Sequence, residues 1–144
     1  MTLSPEEKLS LSRYRLEKAK KLLEDARILL EQQRFESSIN RSYYAALTAA
    51  KAVLILFGID PKTHEGVKTM VGKKLIMDGY APNEYAKWFR GLLAEREDAD
   101  YADFVKIDRN DADEAYNHAS AFVKKSDDIA EKIRKEIHAP EKPK

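Results

Sequence analysis

The chain has 144 residues and a mass of 16.5 kDa, a size that suits one folded domain. Its 26 Lys and Arg residues nearly balance 25 Asp and Glu residues. The resulting net charge of +1 gives no overall attraction to DNA or to an anionic membrane. The chain contains no cysteine, which excludes a disulfide scaffold, a thiolate metal site and a cysteine nucleophile.

The N-terminal residues show no signal-peptide pattern. The longest apolar run, residues 45–57, is interrupted by Lys51 and is too short to span a bilayer. We therefore expect a cytoplasmic protein that has no membrane partner. Charged residues make up 35% of the chain and there are only five Gly and five Pro, a composition that favours a helical fold.

The first predicted helix begins after Ser4. Ser4 is a suitable N-cap, Pro5 occupies the first helical position, and Glu7 completes a capping box. Apolar residues then recur at intervals of three and four through Leu30, which is typical of an amphipathic helix. We expect this helix to continue to about residues 33–34.

Two further helices are predicted in the middle of the chain. The second runs from about Phe35 to Phe57, and Gly58 supplies its C-terminal cap. The third begins after Thr63 and is expected to end at residues 78–79, although two glycines lie inside it.

The fourth helix is predicted to begin at Pro82 and to continue through Arg96 to about Tyr101. Asp108 is placed to cap a fifth helix. Residues 104–107 form a short apolar segment without helical phase, and the tail 139–144 is expected to be disordered. Because no strand-like alternation is present, the sequence predicts an all-α protein. Residues 1–138 would form one up-and-down antiparallel bundle of about five helices.

Most signatures of catalytic sites are absent from the sequence. It contains no P-loop, no GxGxxG and no GxSxG. Glu114 and His118 are four residues apart, whereas the di-iron bundle motif is Glu-x-x-His and is repeated. We therefore expect ordinary surface acids there, with His118 packed at the edge of the core, and predict neither a metal site nor a cofactor. His64 lies at a helix start, where it could position a loop or contact a partner.

Arg96 needs an explanation because it lies in line with the apolar stripe of the fourth helix. A guanidinium stays charged, so its burial requires partners. Asp100 and Asp103 follow it on the same segment, and the second helix offers Asn40, Tyr43 and Tyr44 across the bundle. Two interpretations remain open: a structural Arg–carboxylate clamp, or an arginine that binds phosphate in a cleft.

The second helix carries a polar group within an otherwise apolar run, "NRSYYAA". Its adjacent tyrosines, Tyr43 and Tyr44, point about 100° apart on a helix. One can face the core while the other lines a groove or an interface. The candidate cleft residues are therefore Asn40, Arg41, Tyr43, Tyr44, His64, Asp100 and Asp103.

Two segments carry a family resemblance: "FESSINRSYYAALTAAKAVLILFGIDPKTHEGV" and "REDADYADF". They resemble the small stand-alone prokaryotic members of the HEPN (higher-eukaryote and prokaryote nucleotide-binding) domain family, and the similarity covers about residues 16–122. The resemblance implies a bundle with an HEPN-like four-helix core, usually a homodimer. It also implies a place beside a minimal nucleotidyltransferase in a toxin–antitoxin-like pair. Active relatives are metal-independent ribonucleases that use an Arg followed four to six residues later by a His, brought together across a dimer cleft.

This chain departs from that ribonuclease pattern. Arg96 matches the family arginine, but Tyr101 stands where the His would be. A tyrosine with an ordinary pKa of about 10 is a poor base at neutral pH. Residues 95–114 also contain nine acids and three bases, a net charge of −6 that would repel RNA unless another surface compensates.

The sequence therefore predicts a non-catalytic binding and assembly protein that is the partner of a nucleotidyltransferase and has a capacity to bind a nucleotide or RNA. One alternative is a ribonuclease toxin that uses Arg96 with Tyr101 or a helper histidine. Another is a purely structural helical dimer.

Overall fold

The computed structural model describes residues 2–101 and 106–138. This part of the chain is helical and contains no strand, so the predicted all-α fold is confirmed. The helices are α1 (Pro5–Glu31), α2 (Phe35–Leu54), α3 (His64–Met70), α4 (Asn83–Tyr101) and α5 (Arg109–His138), with a 3₁₀ turn at Ile55–Phe57 and a π-helical turn at Val71–Ile76. The predicted tail, residues 139–144, and the first two residues of the apolar segment 104–107 lie outside the described residues.

Three helices begin at the caps that the sequence predicted. The Ser4 hydroxyl accepts a hydrogen bond from the Glu7 amide at 3.1 Å, and the Glu7 carboxylate accepts one from the Ser4 amide at 3.0 Å. At α3, the Thr63 hydroxyl accepts from the backbone amide of residue 66 at 2.9 Å. At α5, Asp108 and Asp111 each accept from the other's amide at 3.0 Å. These bonds satisfy amides that a helix start leaves without partners.

The third predicted helix differs in its second half. It becomes a π-helical turn after Met70, and the amide of Met77 donates to the carbonyl of Gly72, five residues earlier, at 3.0 Å. The turn contains Gly72, a residue with low helix propensity. The segment then ends at Gly79, whose φ of 82° is in the left-handed region. The second helix likewise tightens into the 3₁₀ turn before Gly58, where φ is 76°.

Helix α2 lies at the centre of the bundle, in contact with α1, α4 and α5. Its small side chains allow the neighbouring helices to approach closely, because Ala45, Ala46, Ala49, Ala50 and Ala52 are all buried. The Ser12 hydroxyl of α1 donates to the carbonyl of Ala52 at 2.7 Å, deep in the α1–α2 interface. The central position of α2 brings its polar residues next to the fourth helix.

Aromatic side chains fill the space between α4 and α5. Tyr85 stacks on Phe122 with ring centroids 3.9 Å apart, and its hydroxyl lies 2.7 Å from that of Ser126. Phe89 extends this contact towards Tyr43 of α2, at a centroid distance of 6.0 Å. This packing fixes the orientation of the helix that carries Arg96.

Among the described residues, none of the helices combines the length and the apolar character that crossing a membrane requires.

Candidate functional site

Arg96 lies on α4 and is paired with Asp100 one turn later, as the sequence predicted. Its Nε atom donates to the Asp100 carboxylate at 3.1 Å, and its side chain is only 13% exposed. The i,i+4 spacing places both groups on one face of the helix. Arg96 is therefore held mostly buried with its charge compensated.

Asp100 also joins α4 to α2. The side-chain amide of Asn40 donates to the same carboxylate oxygen at 3.1 Å. The guanidinium of Arg41 in turn donates to the side-chain oxygen of Asn40 at 3.1 Å. A continuous polar chain thus runs from Arg41 through Asn40 and Asp100 to Arg96.

The two tyrosines of α2 provide an aromatic surface for Arg96. Its guanidinium carbon lies 5.1 Å from the ring centroid of Tyr43 and 5.7 Å from that of Tyr44. Both distances are within the range of cation–π attraction. Tyr43 is fully buried whereas Tyr44 is partly exposed, as the 100° separation of neighbouring side chains predicted. Burial raises the pKa of Tyr43 to about 12, although the charge of Arg96 opposes the shift.

His64 reaches the same tyrosines from the first turn of α3. Its ring centroid is 5.5 Å from that of Tyr43 and 5.8 Å from that of Tyr44. Partial burial lowers the pKa of His64, and the positive charges of Arg96 and Lys51 lower it further. The imidazole is therefore neutral at pH 7, the form that can accept a proton.

These residues form what we call the Arg96 cluster: Asn40, Arg41, Tyr43, Tyr44, His64, Arg96 and Asp100. Two clefts open beside it on the surface of α2. One, of about 510 Å³, is lined by Asn40, Arg41 and Asp100. The other, of about 380 Å³, is lined by Asn40, Arg41 and Tyr44. The polar end of the cluster is thus accessible to a ligand in solution.

Comparison with known proteins agrees with the fold. The family described as "HEPN domain" matches residues 12–129 of the chain. The chain belongs to the HEPN domain family. The resemblance that the sequence motifs carried is therefore confirmed.

Individual relatives come from bacteria and archaea. A "UPF0332 protein" of Thermotoga maritima is 25% identical over 90% of this chain and 98% of its own length. A second "UPF0332 protein", from Archaeoglobus fulgidus, is 31% identical over 83% of this chain and 95% of its own length. A protein of Methanocaldococcus jannaschii named "Putative toxin" is 32% identical over 85% of this chain and 87% of its own length.

Within this HEPN chain the structure brings six of the seven predicted cleft residues together, and the seventh, Asp103, lies outside the described residues. Asp103 falls in the segment 102–105, and α4 ends at Tyr101, whose side chain is also outside the described part. His64 was predicted as a cleft residue, but its position against the same two tyrosines as Arg96 was not predicted, because the two residues lie on different helices. The sequence feature that could have indicated this position is the "KTH" turn, which follows the tyrosine-bearing helix α2.

A second group of acids was also missed by the sequence analysis. Glu95, next to Arg96 on α4, faces Glu114 and His118 of α5. Burial raises the pKa of Glu95, and the negative charges of Glu114, Asp111 and Asp98 add to the shift, so that together they bring it to about 7. The sequence singled out Glu114 and His118 but could not place a third group beside them.

Proposed function

We propose that this HEPN chain is the toxin of a toxin–antitoxin-like pair and that it cleaves RNA through Arg96 and His64. The observation that carries the proposal is the position of His64, which contacts the same two tyrosines as Arg96. It supplies the neutral base that Tyr101 cannot supply. The name "Putative toxin" of a relative is in line with this proposal.

The chemistry follows from the two side chains. Arg96 binds the phosphate of an RNA chain by charge-assisted hydrogen bonds, exchanging part of its interaction with Asp100. His64 takes the proton from the adjacent 2′-hydroxyl, whose oxygen attacks phosphorus. The P–O5′ bond breaks, leaving a 2′,3′-cyclic phosphate, and the departing 5′-oxygen takes a proton from water. No metal ion takes part in these reaction steps.

The acidic segment requires a compensating surface for RNA, and a cationic cavity lies on the helices that carry His64 and Arg96. A cavity of about 540 Å³ lies between α3, the π-helical turn and α4, and its lining contains Lys68, Lys73, Lys87 and Arg90 but no acid. Lys68 is one turn beyond His64 on α3, and Arg90 lies on the same helix as Arg96. These four cations offer contacts to the phosphates of an RNA chain.

A second candidate is a non-catalytic binding and assembly module that is the partner of a nucleotidyltransferase. It is favoured by the Asp100 carboxylate, which already neutralises Arg96, and by the net charge of −6 over residues 95–114. In this form the clefts beside Asn40 and Arg41 would bind a nucleotide or RNA without cleaving it. A homodimer is part of both candidates.

An RNA cleavage assay with the purified chain in the presence of EDTA distinguishes the two candidate functions. We expect the wild type to cleave single-stranded RNA and His64→Gln to cleave about 10²–10⁴-fold more slowly. His138→Gln, which changes the histidine at the end of α5, is the matched control and should cleave at the wild-type rate. RNA that is bound but left intact by the wild type would instead support the non-catalytic module.

The proposed pairing of a toxin with an antitoxin can be tested in cells. Expression of the chain alone should arrest growth, and co-expression of a nucleotidyltransferase encoded beside it should restore growth. Arrest that persists with that protein present would exclude it as the antitoxin.

A further inference from the structure

A second polar cluster lies where α4 packs against α5. It consists of Glu95 from α4 and of Glu114 and His118 from consecutive turns of α5. One ligand atom from each residue lies within 4.8 Å of the other two. Because Glu95 and Arg96 are neighbours, their side chains point about 100° apart, so this acidic cluster lies on a different face of α4 from the Arg96 cluster.

Two atoms of the acidic cluster are buried without a hydrogen-bond partner among the described residues: Glu95 Oε2 and His118 Nδ1. The distance from His118 Nδ1 to the other Glu95 oxygen is 3.9 Å, too long for a hydrogen bond. Buried polar atoms that lack partners are rare in folded proteins, and a bound ion or water is one explanation of them. Glu114, in contrast, is exposed and leaves the cluster open to solvent.

The charges around the acidic cluster are unbalanced. Neither Glu95 nor Glu114 forms an ion pair with a Lys or Arg in the part of the chain that the structure describes. Asp98 and Asp111 add further negative charge to the surroundings of Glu95. A cation bound between α4 and α5 would neutralise these acids and give the two orphaned atoms a partner.

We propose that Glu95, Glu114 and His118 bind one divalent transition-metal ion, with Zn²⁺ as the ion best suited to the set. Zn²⁺ takes imidazole nitrogen and carboxylate oxygen ligands at about 2.0–2.2 Å, commonly three from the protein with water in the fourth position. Tetrahedral bonds of that length place neighbouring ligand atoms about 3.4 Å apart. The distances between the ligand atoms therefore need to shorten by at most about 1.4 Å when the ion binds.

The donor set also discriminates against the hard cations. Mg²⁺ and Ca²⁺ take oxygen ligands, and Mg²⁺ demands six in an octahedral arrangement. An imidazole nitrogen and two carboxylates meet neither requirement. Bound Zn²⁺ would join the C-terminal half of α4 to α5 and so hold the helix that carries Arg96.

Titration of the full chain, first freed of metal with a chelator and then dialysed, tests the proposal. Calorimetry with ZnCl₂ should give one ion per chain, and Zn²⁺ should raise the melting temperature, whereas the same concentration of Mg²⁺ should leave it unchanged. Glu95→Gln and Glu114→Gln should each weaken Zn²⁺ binding at least about tenfold. Glu97→Gln, which removes an exposed charge from the same helix, should bind Zn²⁺ like the wild type.

Two results would overturn the proposal. One is the absence of both binding heat and thermal stabilisation with Zn²⁺ in the wild type. The other is equal affinity in all three variants, which would mean adventitious binding at surface groups. Because Glu114 is exposed, Glu114→Gln is expected to fold normally and decides the question even if Glu95→Gln does not fold. Neither readout depends on RNA cleavage, so failure here leaves the proposed function untouched.

Discussion

The imidazole of His64 lies with its centroid 5.5 Å from that of Tyr43, and the guanidinium of Arg96 lies against the same ring at 5.1 Å. Tyr43 is fully buried, so it acts as a fixed partner for two groups from different helices. An arginine and a neutral histidine are thereby held in one cluster without the sequence spacing that active HEPN ribonucleases use. This arrangement is the basis of the predictions on His64 and Arg96.

The pH dependence of stability should contain a contribution from His64. Its pKa in the folded state is below the ordinary 6.5, so the unfolded chain binds more protons between the two values. The contribution of His64 to the free energy of unfolding is fully present above pH 6.5. It is lost as the pH falls through the folded-state pKa.

We expect the difference in unfolding free energy between wild type and His64→Gln to change over that window, measured by urea denaturation at several pH values. A difference that is constant from pH 5 to 8 would contradict the lowered pKa.

Removing Arg96 should destabilise the fold. Arg96→Ala loses a charge-assisted hydrogen bond to Asp100 and two aromatic contacts, and hydrogen bonds to charged groups contribute about 1.5–3 kcal/mol. We expect a loss in this range by thermal or urea denaturation. Arg27→Ala on α1, where the arginine pairs with Glu31 at an exposed position, should cost less than about 1 kcal/mol. Equal melting temperatures for wild type and Arg96→Ala would show that the cluster adds nothing to stability.

An ion pair between α1 and the loop after α2 predicts a second pH effect. Burial acts to raise the pKa of Asp60, but the hydrogen bond and charge of Arg15 at 3.2 Å, together with Lys62, hold it below the usual 3.8. This stabilisation is present above pH 3.8 and is lost as the pH falls through the lowered value.

Asp60→Asn should therefore be less stable than the wild type at pH 7, by about 1 kcal/mol because the pair is partly exposed. The free energies of unfolding of the two proteins should become equal in strong acid. Acid denaturation curves followed by circular dichroism provide the measurement, and a constant difference down to pH 2 would refute the assignment.

The chain is predicted to form a homodimer in solution. Several large apolar side chains are exposed on the single chain, including Met77 at 79% and Tyr14 at 66%. Twofold symmetric dimers are the commonest oligomers of soluble proteins, and the family resemblance implies the same assembly. Light scattering at tens of micromolar should give twice the 16.5 kDa of one chain. A mass of one chain under these conditions would exclude the dimer.

Much of the fold was predictable because its determinants are local. Ser4, Thr63 and Asp108 cap helices through side chains that act within three residues, and Gly58 ends a helix through its own φ. Apolar spacing fixed which face of each helix is buried. The pairing of Arg96 with Asp100 was equally predictable, since an i,i+4 contact needs no information beyond the helix itself.

Local patterns in the sequence were sufficient to predict most of the helices, the family resemblance and the burial of Arg96. It is the packing of the helices that places His64 and Arg96 against the same ring of Tyr43, and Glu95 of α4 opposite Glu114 and His118 of α5. Both arrangements join residues of different helices. Their geometry depends on how the helices cross and rotate against one another, which is set by the packing of many side chains, the close approach allowed by the alanines of α2 among them. No spacing along the chain encodes that rotation.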